Sequence, residues 1–231
     1  MNELKVIGMS DMHGKLPAPE DLPKSDLVAI AGDISPLNIQ RNGPAMMEWI
    51  MNDFASWIKR LDTSKVFLVV GNHDFVFYNK ATGEDVIWLI DDVTDGKCVY
   101  LADQNYTFKG KVIYGSPWVN GPAGWAFFDP SMKRIKETMP ENVDLAIFHS
   151  PIMQWNNGTS LELLDRPQWG SKNLEDIIYN KSPKNVITGH VHSGNHEWHE
   201  IVTANGHANL CNVSLLNEDY KMAYEPTLFT I

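Results

Sequence analysis

Five short apolar runs, each ending in metal-capable side chains, constrain this chain more than any other feature. Residues 66–70, Val-Phe-Leu-Val-Val, are long enough for a strand buried on both faces and too short and β-branched for a helix. Gly71 breaks the run, and Asn72, His73 and Asp74 follow at once. The runs at 6–9, 27–31, 143–148 and 186–188 end in the same way: in Asp11 and His13, in Asp33, in His149, and in His190 and His192. Taken singly, each end reads equally well as a turn, because Gly, Asn and Asp dominate turns for backbone reasons. Together they hold five of the eight histidines of the chain. Ligands bind outside the carboxyl ends of strands in open α/β sheets, so neighbouring strands of one sheet would gather these side chains on one rim. Asp11 and His13, like His190 and His192, stand two residues apart, and on an extended backbone each pair would share a face.

Asp11, His13, Asp33, Asn72, His149, His190 and His192 offer oxygen and nitrogen donors without a cysteine. That set suits two borderline divalent cations, Mn, Fe, Co, Ni or Zn. A single ion would leave several donors idle, whereas a pair can clamp the attacking and leaving oxygens of a phosphoester. His73 sits beside them and titrates near neutral pH, which makes it the candidate to protonate the leaving oxygen or stabilise developing charge. The competing reading of His73 is a structural histidine behind the donors. Asp74 either orients His73 or caps the turn.

The ordered set Asp11-Met12-His13, Gly32-Asp33, Gly71-Asn72-His73-Asp74, His149 with Pro151, and Gly189-His190-Val191-His192 resembles the calcineurin-like metallophosphoesterases. The loop Gly115-Ser116-Pro117-Trp118, with Gly124-Trp125-Ala126-Phe127 after it, further resembles the small phosphodiesterase branch related to the MPPED proteins. The resemblance implies an α/β fold, a four-layer α/β/β/α sandwich of two mixed sheets flanked by helices. It implies that Asp11, His13 and His192 bind one metal and that Asn72, His149 and His190 bind the other. Asp33 then bridges the two, with a hydroxide as second bridge and nucleophile. One departure stands out. In the protein phosphatases of that family the Gly-Asp block continues to a further Asp and an Arg, but here Ile34-Ser35-Pro36-Leu37 follows. The departure weakens a phosphoprotein phosphatase reading and leaves the orienting partner of His73 unidentified.

The expected activity is hydrolysis of a small or nucleotide-like phosphodiester, with two divalent ions, Mn foremost, as cofactor. A phosphomonoesterase or nuclease of the same fold, or a non-catalytic metal-binding scaffold, are the alternatives. The net charge of −10 argues against long nucleic acid and anionic membranes as partners. With no signal-peptide pattern and no apolar run long enough to span a bilayer, residues 1–231 read as one soluble cytoplasmic domain. Cys98 and Cys211 read as packed, reduced thiols. A helix is expected over residues 44–60, with Met47 and Met51 in its apolar stripe. Lys133, Arg134 and Lys136 read as a solvated face, and Asp91, Asp92 and Asp95 as a solvated turn. His196, His199 and His207 read as exposed rather than as a third metal site. Trp118, Trp125 and Trp155 either stack a nucleobase at the rim or close the edge of a core. No substrate-binding residue is assigned.

Overall fold

The computed structural model describes residues 3–79, 83–153 and 169–231. In the first sheet β1 (Lys5–Met9), β2 (Ser25–Ala31), β3 (Thr63–Val69) and β4 (Cys98–Tyr100) run parallel. Strand β11 (Thr227–Thr230) adds antiparallel to β1, giving the order β11-β1-β2-β3-β4. The second sheet has the order β5-β6-β7-β8-β10-β9. It comprises β5 (Gln104–Phe108), β6 (Lys111–Ser116), β7 (Leu145–Phe148), β8 (Asn185–Thr188), β9 (His199–Thr203) and β10 (Gly206–Asn212). Its two edge pairs are antiparallel and its centre is parallel, so both sheets are mixed.

Side chains alternate across a strand, and because these runs are apolar throughout, each central strand feeds two cores. Val6, Leu27, Phe67 and Val69 of the first sheet meet Ile113, Leu145, Ile147 and Ile187 of the second. The opposite face of the first sheet, with Ile7, Val28, Ile30 and Leu68, packs on α1 (Gly43–Trp49), α2 (Ala55–Arg60), α3 (Phe75–Tyr78) and α4 (Gly83–Val93). Tyr114, Ala146, Phe148 and Val186 of the second sheet pack on α5 (Lys133–Thr138) and α6 (Lys172–Lys181). This is the four-layer α/β/β/α sandwich. Each such Val, Leu, Ile or Phe contributes about 1.5–3 kcal/mol when fully buried. A charge at Phe67 or Ile187 would therefore separate the sheets.

The five apolar runs do not share one sheet. Strands β1, β2 and β3 lie in the first, β7 and β8 in the second. A run that is apolar on both faces reads the same in either sheet, so the local pattern carries no information on the partition. The expected helix over 44–60 also differs. Asn42 Oδ1 caps it by accepting from Ala45 N–H at 3.2 Å, and Pro44 lies in its first turn. Residues Ile50–Phe54 then form a π-helical turn between α1 and α2. Met46, Ile50, Phe54 and Ile58 are fully buried. Their four-residue step overshoots an α-helical turn by about 40° each time, and the wider turn absorbs that drift. Met51 leaves the stripe and is 43% exposed.

Cys98 and Cys211 are buried free thiols. His196 stacks on Tyr224 with ring centroids 3.6 Å apart, and it and His199 are partly buried, while His207 is exposed as expected. Lys133, Arg134 and Lys136 are exposed as expected, with the Arg134 guanidinium lying 4.9 Å over the Trp118 ring. Among the described residues no helix is long and apolar enough to cross a membrane.

Candidate functional site

The carboxyl ends of β1, β2, β3, β7 and β8 meet where the edges of the two sheets come together, and all eight predicted site residues gather there. Asp33 is the centre. Its Oδ2 lies 3.3 Å from His149 Nε2, 3.8 Å from His13 Nε2 and 3.9 Å from His73 Nε2. Asn72 Oδ1 is 3.1 Å from His149 Nε2, and Asp11 Oδ1 is 3.5 Å from His192 Nε2. The His149 and His190 rings are 5.1 Å apart. Among the described residues, donor atoms close enough to share a cation form three trios: Asp11, His13 and His192; Asp33, His149 and His190; and His13, Asp33 and His73.

The backbone that presents these groups is not extended. Asp11, His13, Asp33 and His190 all have positive φ, at 53°, 44°, 54° and 71°. The shared-face argument for residues two apart therefore fails. Left-handed conformations instead turn the side chains inward, at a cost of order 1–3 kcal/mol each. Local bonds hold them there. Asp11 N–H donates to Gly32 C=O and His13 N–H to Asp33 C=O, both at 3.0 Å. His190 N–H donates to Asp11 Oδ2 at 3.0 Å, and Ser214 Oγ donates to the same oxygen at 2.6 Å. Gly71 is required by close approach, since a Cβ there would run into the Asp33 carboxylate and the His149 ring.

Asp74, left open from sequence, is fully buried and accepts from Gly71 N–H (2.7 Å), Asp33 N–H (2.9 Å), Ser35 N–H (3.0 Å) and Ser35 Oγ (2.6 Å). It ties the loop after β2 to the loop after β3 and does not touch His73 through any of these bonds. Burial, with the nearby Asp33 charge, pushes it up to about 6 against those donors.

The imidazoles divide by their partners. His149 Nδ1 donates to Ala31 C=O at 2.7 Å and His192 Nδ1 to Asn217 C=O at 3.1 Å, so both turn Nε2 toward the carboxylates. Burial disfavours their charge, but Asp33 for His149 and Asp11 for His192 outweigh it, and both rise to about 9. Burial lowers His13 and His190 to about 4. Both nitrogens of His13 and Nε2 of His190 are buried without a hydrogen-bond partner. Burial likewise opposes ionisation of Asp11 and Asp33, and the histidines overcome it, holding both well below the carboxylate range. Two ionised carboxylates, an amide oxygen, the neutral unpartnered imidazoles of His13 and His190, and the carbonyl-fixed His149 and His192, whose Nε2 would give up its proton to a cation, make a donor set of the kind borderline divalent cations require. The residues present fit such ions.

A cleft of about 250 Å³ opens over the cluster, lined by Asp33, Asn72, His73, His190 and His192, with walls from Pro122, Trp125, Trp169, Glu218 and Tyr220. Trp125 lies against His73 with centroids 4.5 Å apart. Trp169 faces His190 at 5.6 Å, and Tyr220 faces His13 and His192 at 5.1 and 5.0 Å. Trp118 instead donates Nε1–H to Asp103 and packs on Phe127, closing a core edge. Trp155 lies outside the described residues. Sequence reasoning missed Gln40, Trp169, Ser214, Glu218 and Tyr220. None stands at the immediate end of a buried strand that carries a motif, and Gln40 lies seven residues beyond Asp33, so no periodicity marks them.

A family model described as calcineurin-like phosphoesterase matches residues 4–194. UPF0046 protein C25E10.12 of Caenorhabditis elegans is 25% identical over 243 residues, covering 100% of this chain and 82% of its own. Human metallophosphoesterase domain-containing protein 1 is 24% identical over 247 residues, covering 98% of this chain and 71% of its own. Among solved structures, TT1561 of Thermus thermophilus superposes with a TM-score of 0.58 at 13% identity, covering 99% of this chain and 98% of that one, and so shares the fold.

Proposed function

The chain belongs to the calcineurin-like phosphoesterases, and on that premise we propose that it hydrolyses small phosphodiesters, nucleotide-like ones included. The character of the cleft wall carries this reading. Among the described residues that line it there is no Lys or Arg, while Trp125, Trp169, Pro122 and Tyr220 form the walls and Glu218 stands at the edge. A monoester would present a second negative charge to those walls. A diester replaces that charge with an esterified group that apolar and aromatic surfaces accept.

In the proposed arrangement Asp11, His13 and His192 would hold one divalent cation and Asn72, His149 and His190 the other, with Asp33 serving both. When bound, such a pair makes a water acidic enough to attack near neutral pH and neutralises phosphoryl oxygens; Mn is the first choice, with Fe, Co, Ni or Zn compatible with the same donors. His73, whose side chain is 13% exposed and faces the cleft, gives a proton to the departing oxygen. Ser214 and the His190 N–H hold Asp11 in place, and Asp74 holds the loop of Asp33.

The test is a substrate panel with Mn-loaded protein. A kcat/KM for bis(p-nitrophenyl) phosphate at least about tenfold above that for p-nitrophenyl phosphate is expected, a preference of about 1.4 kcal/mol. The reverse preference would make the chain a monoesterase. Hydrolysis of neither ester with Mn, Fe, Co, Ni or Zn would overturn the reading.

A further inference from the structure

The irregular stretch between β2 and α1 supplies Asp33 near its start and returns to the site near its end. Gln40 Oε1 lies 2.6 Å from His73 Nδ1. The next residue, Arg41, sets its guanidinium 3.9 Å above the Phe75 ring and 5.2 Å from that of Trp125. Residues 40 and 41 thus grip the segment after β3 twice, once at His73 and once two residues on. The His73 ring is confined on two further sides, by Trp125 and, edge to face at 4.7 Å, by His13. The nearest acid in sequence, Asp74, is occupied by the loops of Gly71, Asp33 and Ser35.

An amide oxygen can only accept, so the ring nitrogen facing it must carry hydrogen. In the neutral and the protonated ring alike Nδ1–H then points to Gln40, while Nε2, which carries the second proton of the protonated ring, lies on the Asp33 side and faces the cleft. We propose that Gln40 is the positioning residue of the reaction, holding His73 through Nδ1–H so that Nε2 delivers its proton to the departing oxygen. This rests on the phosphodiesterase reading above. In the step, the P–O bond to the leaving group breaks and its electron pair stays on that oxygen. The Nε2 proton moves to the same oxygen, and His73 is left neutral with Nδ1–H still donated to Gln40. The segment Ile34-Ser35-Pro36-Leu37 after Asp33 offers no acid, and the group that meets His73 Nδ1 is the neutral amide of Gln40.

Leaving groups of different basicity separate positioning from scaffolding. A weakly basic leaving group such as p-nitrophenolate departs without a proton, and phenolate needs one. In Mn-loaded Gln40→Leu, kcat for diphenyl phosphate should fall about tenfold or more, with KM within about twofold. Bis(p-nitrophenyl) phosphate turnover should stay within about twofold of native. Gln40→Glu, which keeps an acceptor oxygen at that reach, should restore most of the diphenyl phosphate rate. In a His73→Ala background Gln40→Leu should change nothing further. Equal losses on both esters, or no loss on diphenyl phosphate, would overturn the assignment while leaving the diesterase reading standing. Failure of the native protein to cleave either ester would overturn both.

Discussion

The two sheets bring different chemistry to the site. The first supplies both carboxylates, Asp11 and Asp33, together with Asn72, His13 and His73, from the ends of β1, β2 and β3. The second supplies imidazoles alone, His149, His190 and His192, from the ends of β7 and β8. Neither is a complete donor set. The contacts that matter cross the interface: His149 to Asp33 at 3.3 Å, His192 to Asp11 at 3.5 Å, and His190 N–H to Asp11. Negative charge on one sheet is therefore matched by imidazole on the other, and metal binding by these residues would be coupled to the packing of the sheets.

The sharpest way to break this contrast is to remove the carboxylate that contacts imidazoles of both sheets. Asp33→Ala should lower kcat on bis(p-nitrophenyl) phosphate by on the order of 10³-fold, beyond the 10–100-fold typical of an outer-shell change. Metal per chain, measured after desalting, should fall with it. Native metal content in an inactive Asp33→Ala would show that the ions are held without the carboxylate that joins the two sheets.

Much of this was legible because buried parallel strands leave apolar runs, and polar residues at their ends stand out against them. Asp33, His73 and His149 are visible for that reason alone. The division of the strands between sheets was not legible, since Val28 and Ile187 occupy equivalent runs on opposite sides of the central core. The inward turn of Asp11 and His13 was not legible either: Asp and His adopt positive φ more readily than most residues, but still only where tertiary bonds such as those to Gly32 and Asp33 C=O hold them there. Gln40 and Tyr220 come from segments with no period at all. The π-turn at Ile50–Phe54 was foreshadowed only by the four-residue step of its buried positions.

The first sheet also depends on an internal clamp. Asp74 accepts from both the β2 and β3 loops while fully buried, and Asp74→Ala would strand the Gly71 and Asp33 N–H groups without partners. A loss of about 3 kcal/mol in urea unfolding is expected, with Mn affinity reduced because Asp33 is no longer held. Unchanged stability would show that the loops are held by sheet packing instead.

Because the donors span both sheets, added metal should stabilise the whole fold. At Mn concentrations about 100 times Kd the native protein should gain about 2.7 kcal/mol, reversed by chelator, and Asp33→Ala should gain little. An equal gain in both would place the binding elsewhere.

The second sheet has its own buried carboxylate, and its position completes the contrast. Asp144 precedes β7, at the end of the sheet away from the cleft, where it accepts from Val112 N–H and Lys184 Nζ, both at 2.8 Å. Burial opposes its ionisation, but Lys184 and the Val112 N–H outweigh it and hold Asp144 below the ordinary carboxylate value. A depressed carboxylate stabilises the fold above its unfolded value and loses that contribution as pH falls through its folded one. Asp144→Asn should therefore cost about 1 kcal/mol at pH 7, a modest figure because the Lys184 side chain is 61% exposed. The difference from native should shrink as pH drops below about 3.9. Activity with Mn should be unchanged, since Asp74 works at the cleft and Asp144 at the far end of the other sheet. A drop in kcat for Asp144→Asn would mean that strain passes along β7 to His149, and that the two ends of the second sheet cannot be separated.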